Sequence, residues 1–530
     1  MKKIRGAFSK IISFFVLFSF TVILGILVFV DRRNLDWFNY RIMFRNYVFV
    51  LGWLLVFGLL FWKRKAIAKL LRLDSGLKVM KRNLLLASVV LFVVQLIVVK
   101  AIHFQVGWDV KYMWEMATQF LDGEVSSFYS RYIITNPNNI FIYAYNIFFL
   151  WLGEKLSLDG YILFIVFGIL CANLSCYLVG ITTYRFTQKS IPAYVAYGIS
   201  VALMGLSPWI TVPYTDTLSL WVSVLILDLY VIFREKDWNL FLKVLVLFSL
   251  GSVGYFFKPI NLFVCLAIVV VEVFHFSKEK WNVKKVGIVL LAFIVVAFGT
   301  KLVQKAVWKA ADYTPDDRYE KPATYYLMLG NNPQLGGVYN TVDDYYISGF
   351  YDIDQKKEES MKLLKERLSD MGVRGYLSLL VRKMDVDFNS GLFGWGKEAD
   401  FVYELYPTDS RFNHFLRNIY YVGEDSACFS WLDQRNLSFP EDGNYFQVLA
   451  VGTQGVWILV LFMCGVYGFY MLKRKESRPG EDVLSVAILG MILYLILFET
   501  NARYLISMLP LFFVMAGVGC SRLFHQWIGE

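Results

Sequence analysis

The chain has 530 residues, of which 57% are hydrophobic and 18% aromatic, with a formal net charge of +10 and a mean hydropathy of +0.49. So apolar a composition excludes a single water-soluble core and, despite the positive charge, a nucleic-acid-binding module; it requires a polytopic membrane protein with about a dozen apolar runs of spanning length. Six cysteines, all but Cys428 in apolar runs, give no disulfide framework, and four scattered histidines have no metal-ligand spacing.

The first apolar run, Phe8 to Val30, follows a basic start and lacks a small-residue cleavage signal, so it reads as a retained span. The second, Tyr47 to Trp62, leads into KRKAIAKLLRLDSGLKVMKR, eight basic residues against one acid, which belongs on the cytoplasmic side. The loop Asp31 to Arg45 then lies outside although it carries four arginines, a mild conflict with that rule. The third run, Leu84 to Ile102, closes an N-terminal three-span region, 1–102, and leads outward.

The segment 103–160 reads as the first large outer loop. From Trp108, the residues Tyr112, Met113, Met116, Ala117 and Phe120 fall on one helical stripe, and Lys111, Glu115, Thr118 and Asp122 on another. Asp109 opens this amphipathic helix on its apolar side, where a solvated carboxylate does not belong. Its plain reading is a helix cap or first-turn acid; its functional reading is a desolvated base. The run Ile140 to Leu152 is too short to span and is expected to lie flat on the outer face. With that parity, the runs between 161 and 304 alternate so that Arg185, Lys189, REK and KEKWNVKK face the cytoplasm. PWITVPYTD with Asp216, and the Lys258-Pro259 turn, then face outward.

Residues 305–444 carry 23 acidic and 16 basic side chains and read as an external domain, mixed α/β or irregular, with KKEESMKLLKERLSDMG as a surface helix. Three spans, 445–530, finish the chain. The expected fold is thus all-α and polytopic, with about 12 transmembrane helices, outer juxtamembrane helices and one external domain.

The order of several short elements resembles the GT-C superfamily of bacterial membrane glycosyltransferases that use a polyprenyl-phosphate sugar. These elements are Asp109 followed by Asn136-Pro137-Asn138-Asn139, Pro213-Tyr-Thr-Asp216, Gly254-Tyr-Phe-Phe-Lys258-Pro259, Tyr326-Leu-Met-Leu-Gly330 with Gly336-Gly337-Val-Tyr-Asn340 and Asp343, and Glu499-Thr-Asn-Ala-Arg-Tyr504. The resemblance covers roughly His103 to Pro510. It implies an inverting transfer of sugar from a polyprenyl-phosphate (undecaprenyl-phosphate) donor to a cell-envelope glycan, glycolipid or protein, at the outer face of a bacterial plasma membrane. Asp109 would be the base; Lys258, Arg503 and more weakly Arg131 would bind the donor phosphate; Asp216, Asn138, Asn139, Tyr326 and Trp395 would contact substrate. Many relatives carry a second acid beside the first, whereas Val110 follows Asp109 here, so no metal or other cofactor is expected.

Each residue also has a plainer role. Lys258 and Arg503 could be headgroup anchors, Asp216 a cap, the Asn-Pro-Asn-Asn element a turn, and the external aromatics a domain core or interfacial belt. A lipid or polysaccharide transporter would share the span count but should show related halves, and no internal repeat is visible. A non-catalytic assembly subunit would be indifferent to Asp109.

Overall fold

The computed structural model describes residues 2–30, 42–66, 74–102, 104–106, 108–275, 283–395, 402–405, 410–420, 445–474 and 478–528. The arginines at 32, 33 and 41, and Cys428, lie outside the described residues.

The helices in chain order are α1 (Lys2–Phe29), α2 (Asn46–Trp62), α3 (Gly76–Ile102), α4 (Asp109–Leu121), α5 (Ser127–Thr135), α6 (Ile140–Leu156), α7 (Gly160–Thr187), α8 (Ser190–Ser200), α9 (Thr215–Glu235), α10 (Leu240–Phe257), α11 (Leu262–Phe274), α12 (Val283–Ala310), α13 (Ala323–Gly330), α14 (Thr341–Ser348), α15 (Ile353–Phe388), α16 (Arg411–Tyr420), α17 (Phe446–Lys473), α18 (Pro479–Leu497) and α19 (Leu509–Ile528). Among the described residues nine helices are long and apolar enough to cross a membrane, and Asn46–Trp62, Ser190–Gly205 and Pro259–Phe274 are shorter apolar helices. This is an α-helical integral membrane protein. The 502–526 unit that contains α19 is buried along nearly its whole length and forms the axis of the bundle, whereas α12 stands at the rim with almost nothing covering it. Tight contact at the axis requires glycine: a Cβ on Gly519 would sit 2.2 Å from the Met463 carbonyl oxygen of α17.

Charged side chains sort to the two ends of the bundle. One end gathers Arg185 with Asp228 (2.7 Å), Arg234 with Glu272 (2.8 Å), and Arg474 and Arg522 with the fully buried Glu481. The other gathers Asp109, Asp216, Lys258 and Arg503.

Helix α6 begins and ends at the second of these ends. Asn139, just before it, lies 3.0 Å from the Tyr214 hydroxyl, and Tyr161, just after it, packs edge-on to Trp114 of α4. The chain reverses through Ser157 in the left-handed region (φ 53°), and Asp159 caps α7 by accepting from the amides of Tyr161 and Ile162. Gly160 lets α7 start against the α6 backbone, since a Cβ there would lie 2.6 Å from the Phe149 carbonyl oxygen.

The external segment differs from its expected outline. Helix α12 supplies its first six residues, to Ala310; the described part then alternates helices with irregular stretches (311–322, 331–340, 389–395) and contains a short strand, β2 (Val402–Leu405), which pairs antiparallel with β1 (Phe104–Val106) beside α4. The expected surface helix is the first half of α15, which resumes after a break at Gly372 (φ 55°) and continues to Phe388. Residues 383–395 are buried throughout. They form a plug in the bundle end whose irregular backbone is satisfied from below: Trp457 donates to the Phe388 carbonyl (2.7 Å), Trp209 to that of Leu392 (3.1 Å), and Gln454 accepts from the Gly391 amide (2.8 Å). Trp395 belongs to this plug. It is 1% exposed, its indole donates to the Tyr420 carbonyl and its ring meets Trp209, so no face is open to stack on a sugar as expected.

The parity of α6 is open to direct test. In a Cys428→Ser background, cysteines replacing the exposed Glu124 and Glu154 should react with an impermeant thiol reagent from one side of the membrane, and a cysteine replacing Gln188 from the other. Labelling of positions 124 and 154 from opposite sides would require α6 to cross.

Candidate functional site

Trp108 precedes the first turn of α4 and leaves Asp109 as its first residue. The Asp109 carboxylate is half-buried and is reached by two phenols: the Tyr132 hydroxyl of α5 donates to Oδ1, and the Tyr214 hydroxyl, just before α9, to Oδ2 at 3.0 Å. Both hydroxyls are pushed far above the usual tyrosine range, first by burial and then by the Asp109 charge. They therefore keep their protons and orient the carboxylate.

Asn139 completes this group. It is 2% exposed, its side-chain oxygen lies 3.0 Å from the Tyr214 hydroxyl and its amide donates to the Tyr132 hydroxyl at 3.4 Å. Tyr214 has one proton and two acceptors within 3.0 Å, so it serves one of them at a time. Asn139 thus orients the tyrosines from inside rather than contacting substrate as expected. Asn138 is exposed and donates to the Asn139 side chain (3.2 Å).

A second group stands beside the first. Asp216, in the first turn of α9, is 2% exposed and pairs with Lys258, while Arg503 Nε lies 3.8 Å from its other oxygen. Asp216 is thus the counter-ion of both cations, and neither the cap nor the substrate contact read from sequence describes it. Pro259 ends α10 so that Lys258 stands at its C-terminus, and Asn501 caps the turn that presents Arg503. The Arg503 guanidinium lies 4.3 Å from the Trp108 ring centroid and 5.4 Å from that of Tyr214. Trp108 and Tyr214 therefore connect the cation pair to Asp109. Arg131 stays apart: it is exposed and lies over Tyr319.

Tyr326 of α13 is half-buried, with its hydroxyl pushed well up by burial and by the charges of Glu499 and Asp109, among others. Tyr326 belongs to the segment 305–395, which is joined to the end of the bundle. The joint is Lys383, which is fully buried and donates to three carbonyls: Gly330 at the end of α13 (2.8 Å), and Ile496 (2.8 Å) and Phe498 (2.7 Å) around the end of α18. One ammonium thus satisfies the open ends of two helices. Burial lowers its pKa to about 8. One turn on, Asp387 is fully buried and burial holds its carboxyl far above the usual range.

Sequence reasoning missed Tyr132, Lys383 and Asp387, and gave Tyr214, Glu499 and Tyr504 no role although they stand in the noted motifs. A lysine and an aspartate four residues apart in a run otherwise turning apolar, Lys383-Met-Asp-Val-Asp387-Phe, were the available signal.

Among the described residues no three His, Cys, Asp or Glu side chains converge on a common point. Beside Lys258, the rim helices α6, α10 and α12 enclose an open apolar groove of about 620 Å³, lined by Phe141, Tyr145, Phe256, Phe257 and Thr300 among others.

The bundle and its end groups define a polytopic α-helical membrane protein with a carboxylate, a half-buried cation pair on a buried aspartate and an apolar side groove at one end. The chain belongs to the family described as conserved hypothetical integral membrane protein, which matches residues 2–523. No curated protein and no solved structure matches it.

Lys383→Met should destabilise the protein by about 3 kcal/mol or more, because three buried carbonyls lose their donor. Thermal unfolding in detergent measures this; Lys383→Arg should recover part of the loss, and a melting point unchanged in Lys383→Met would show that the joint is not needed.

Proposed function

We propose that the protein is an inverting glycosyltransferase that moves a sugar from a polyprenyl-phosphate donor to a cell-envelope acceptor at the outer face of the bacterial plasma membrane, with about twelve spans and both chain ends in the cytoplasm. The observation that carries this reading is the convergence of Asp109 with the Lys258–Arg503 pair at one end of the bundle, linked through Trp108 and Tyr214. The order of motifs that resembles the GT-C superfamily supports it.

The chemistry assigns each group a task. The acceptor oxygen attacks the anomeric carbon, the bond from that carbon to the phosphate oxygen breaks, and Asp109 takes the acceptor's proton. Polyprenyl phosphate leaves as an anion beside Lys258 and Arg503. A lysine ammonium has three N–H bonds and a guanidinium five, more than the two oxygens of Asp216 take up, and arginine can hold phosphate bidentately. The two phenols donate to the Asp109 carboxylate, one to each oxygen. They also aim it, and each carboxylate oxygen has a second lone pair for the acceptor hydroxyl. The apolar groove that ends at Phe256 and Phe257, next to Lys258, suits the isoprenoid tail.

Asp109→Asn keeps the shape and both phenol partners but cannot take a proton. Turnover with a synthetic polyprenyl-phosphate sugar in liposomes should fall by about 10² to 10⁴, with protein level and donor binding little changed; near wild-type turnover would remove Asp109 as the base.

Lys258→Met alone strands Asp216 beside one cation and should destabilise the protein. Lys258→Met with Asp216→Asn removes both charges, so it should regain stability while binding polyprenyl phosphate about 1.5–3 kcal/mol more weakly than wild type. Wild-type affinity in the double variant would make Lys258 a headgroup anchor.

A further inference from the structure

The end of the bundle opposite Asp109 holds charged groups that the proposed reaction does not use. Glu481, in the first turn of α18, is fully buried, and three arginines from separate places in the chain converge on it. Arg474, just after α17, pairs with Oε2; Arg522 of α19 lies 3.2 Å from Oε1, and Arg478, just before α18, 3.6 Å from the same atom. At the same end Asp228 and Glu272 pair with one arginine each. One cation neutralises a carboxylate, so two of the three are in excess.

Each arginine reaches Glu481 through a single nitrogen, and among the described residues no other oxygen accepts from them. A guanidinium carries five N–H bonds, which leaves most of these donors uncommitted. Sharing Oε1 also sets Arg478 and Arg522 side by side, where like charges repel until an anion joins them. The side chains grade outward from 17% exposed at Arg474 through 32% at Arg522 to 55% at Arg478, so the donors lead from the buried carboxylate to the surface. The neighbouring charges keep this end positive. Asp482 is buried against Ser9 (2.7 Å) and His275 (3.1 Å), Arg5 donates to the His275 carbonyl (2.8 Å), Lys473 lies over the Phe469 ring, and His525 follows one turn after Arg522.

We propose that Arg474, Arg478 and Arg522 form a binding site for a phosphate group, with Glu481 as the inner counter-ion that holds the guanidiniums in place. Phosphate oxygens accept from adjacent guanidiniums in pairs, so one phosphate takes up the outer donors of Arg478 and Arg522 together. The site stands where α17, α18 and α19 end, and below it Phe469 is 39% exposed on α17, so an anionic lipid can present its headgroup phosphate there. A free phosphate ion offers the same oxygens, and the test separates the two sources. The site is independent of the glycosyltransferase reading.

The full chain in an uncharged maltoside detergent is titrated with phosphatidylglycerol, inorganic phosphate and oleate, and read by the thermal unfolding midpoint and by native mass spectrometry. A ligand that binds the folded state alone raises the midpoint saturably. Phosphatidylglycerol that does so without competition from inorganic phosphate assigns the group to a lipid; inorganic phosphate acting alone assigns it to solution. Arg478→Gln with Arg522→Gln leaves Arg474 to pair with Glu481 and should bind the active probe roughly tenfold or more weakly. Glu481→Gln strips the arginines of their counter-ion, so its midpoint without probe should fall and the probe should raise it by more than it raises that of the wild type. A purely structural role for the arginines predicts the same probe shift in all three proteins. That result, no shift with either phosphate probe in the wild type, or oleate acting as strongly as phosphatidylglycerol would overturn the site.

Discussion

A carboxylate nearly withdrawn from water needs cationic partners, and Asp216 draws its two from distant parts of the chain. Lys258 comes from the break after α10 and Arg503 from the turn before α19. Burying such a triad costs desolvation, and leaving any member alone costs more, so the three chain segments are held to one another at the bundle end. Arg503 then lies against Trp108, and Trp108 precedes Asp109. The place of the candidate base is in this way fixed by an ion pair to which it does not belong.

The segment 305–395 is joined to the bundle by the same economy of buried polar groups. A helix end or a stretch of irregular backbone can enter an apolar interior only if its carbonyls and amides find partners there. Two indoles and one glutamine supply them for residues 388–392, and Lys383 supplies them for the ends of α13 and α18. Elsewhere in the domain Asp343 plays a similar part. It is buried, which by itself would raise its carboxyl, but hydrogen bonds from Arg367, Asn340 and Asn332 hold it below the usual range. The glycines at 330 and 337, noted as motif residues, serve contact rather than chemistry: a Cβ on Gly330 would lie 2.3 Å from the Phe498 carbonyl.

Much of the fold was legible because a membrane span is a one-dimensional signal. Length, hydropathy and flanking charge located each apolar run, and the observed helices differ from them mainly by added turns at the ends, as in α3, which starts at Gly76 rather than Leu84. The burial of part of the segment 305–444 was not legible, for a physical reason. Its buried length, 383–395, contains Lys, Asp and Asn side chains that are tolerated inside only because the bundle supplies partners, and a composition count assigns such residues to water. Trp395 was misjudged with it.

The sequence by itself determined that this chain is an α-helical membrane protein, where its apolar helices fall, and that Asp109 opens an amphipathic helix, because these follow from local composition and periodicity. Only the tertiary structure decided which side chains meet. That Asp216 serves Lys258 and Arg503, that Tyr132 and Tyr214 aim Asp109, and that Lys383 joins α13 to α18 are contacts between residues 23 to 287 positions apart. Spacing along a chain carries no record of such pairs, since they are set by how long helices pack and by the need of each buried charge for a partner.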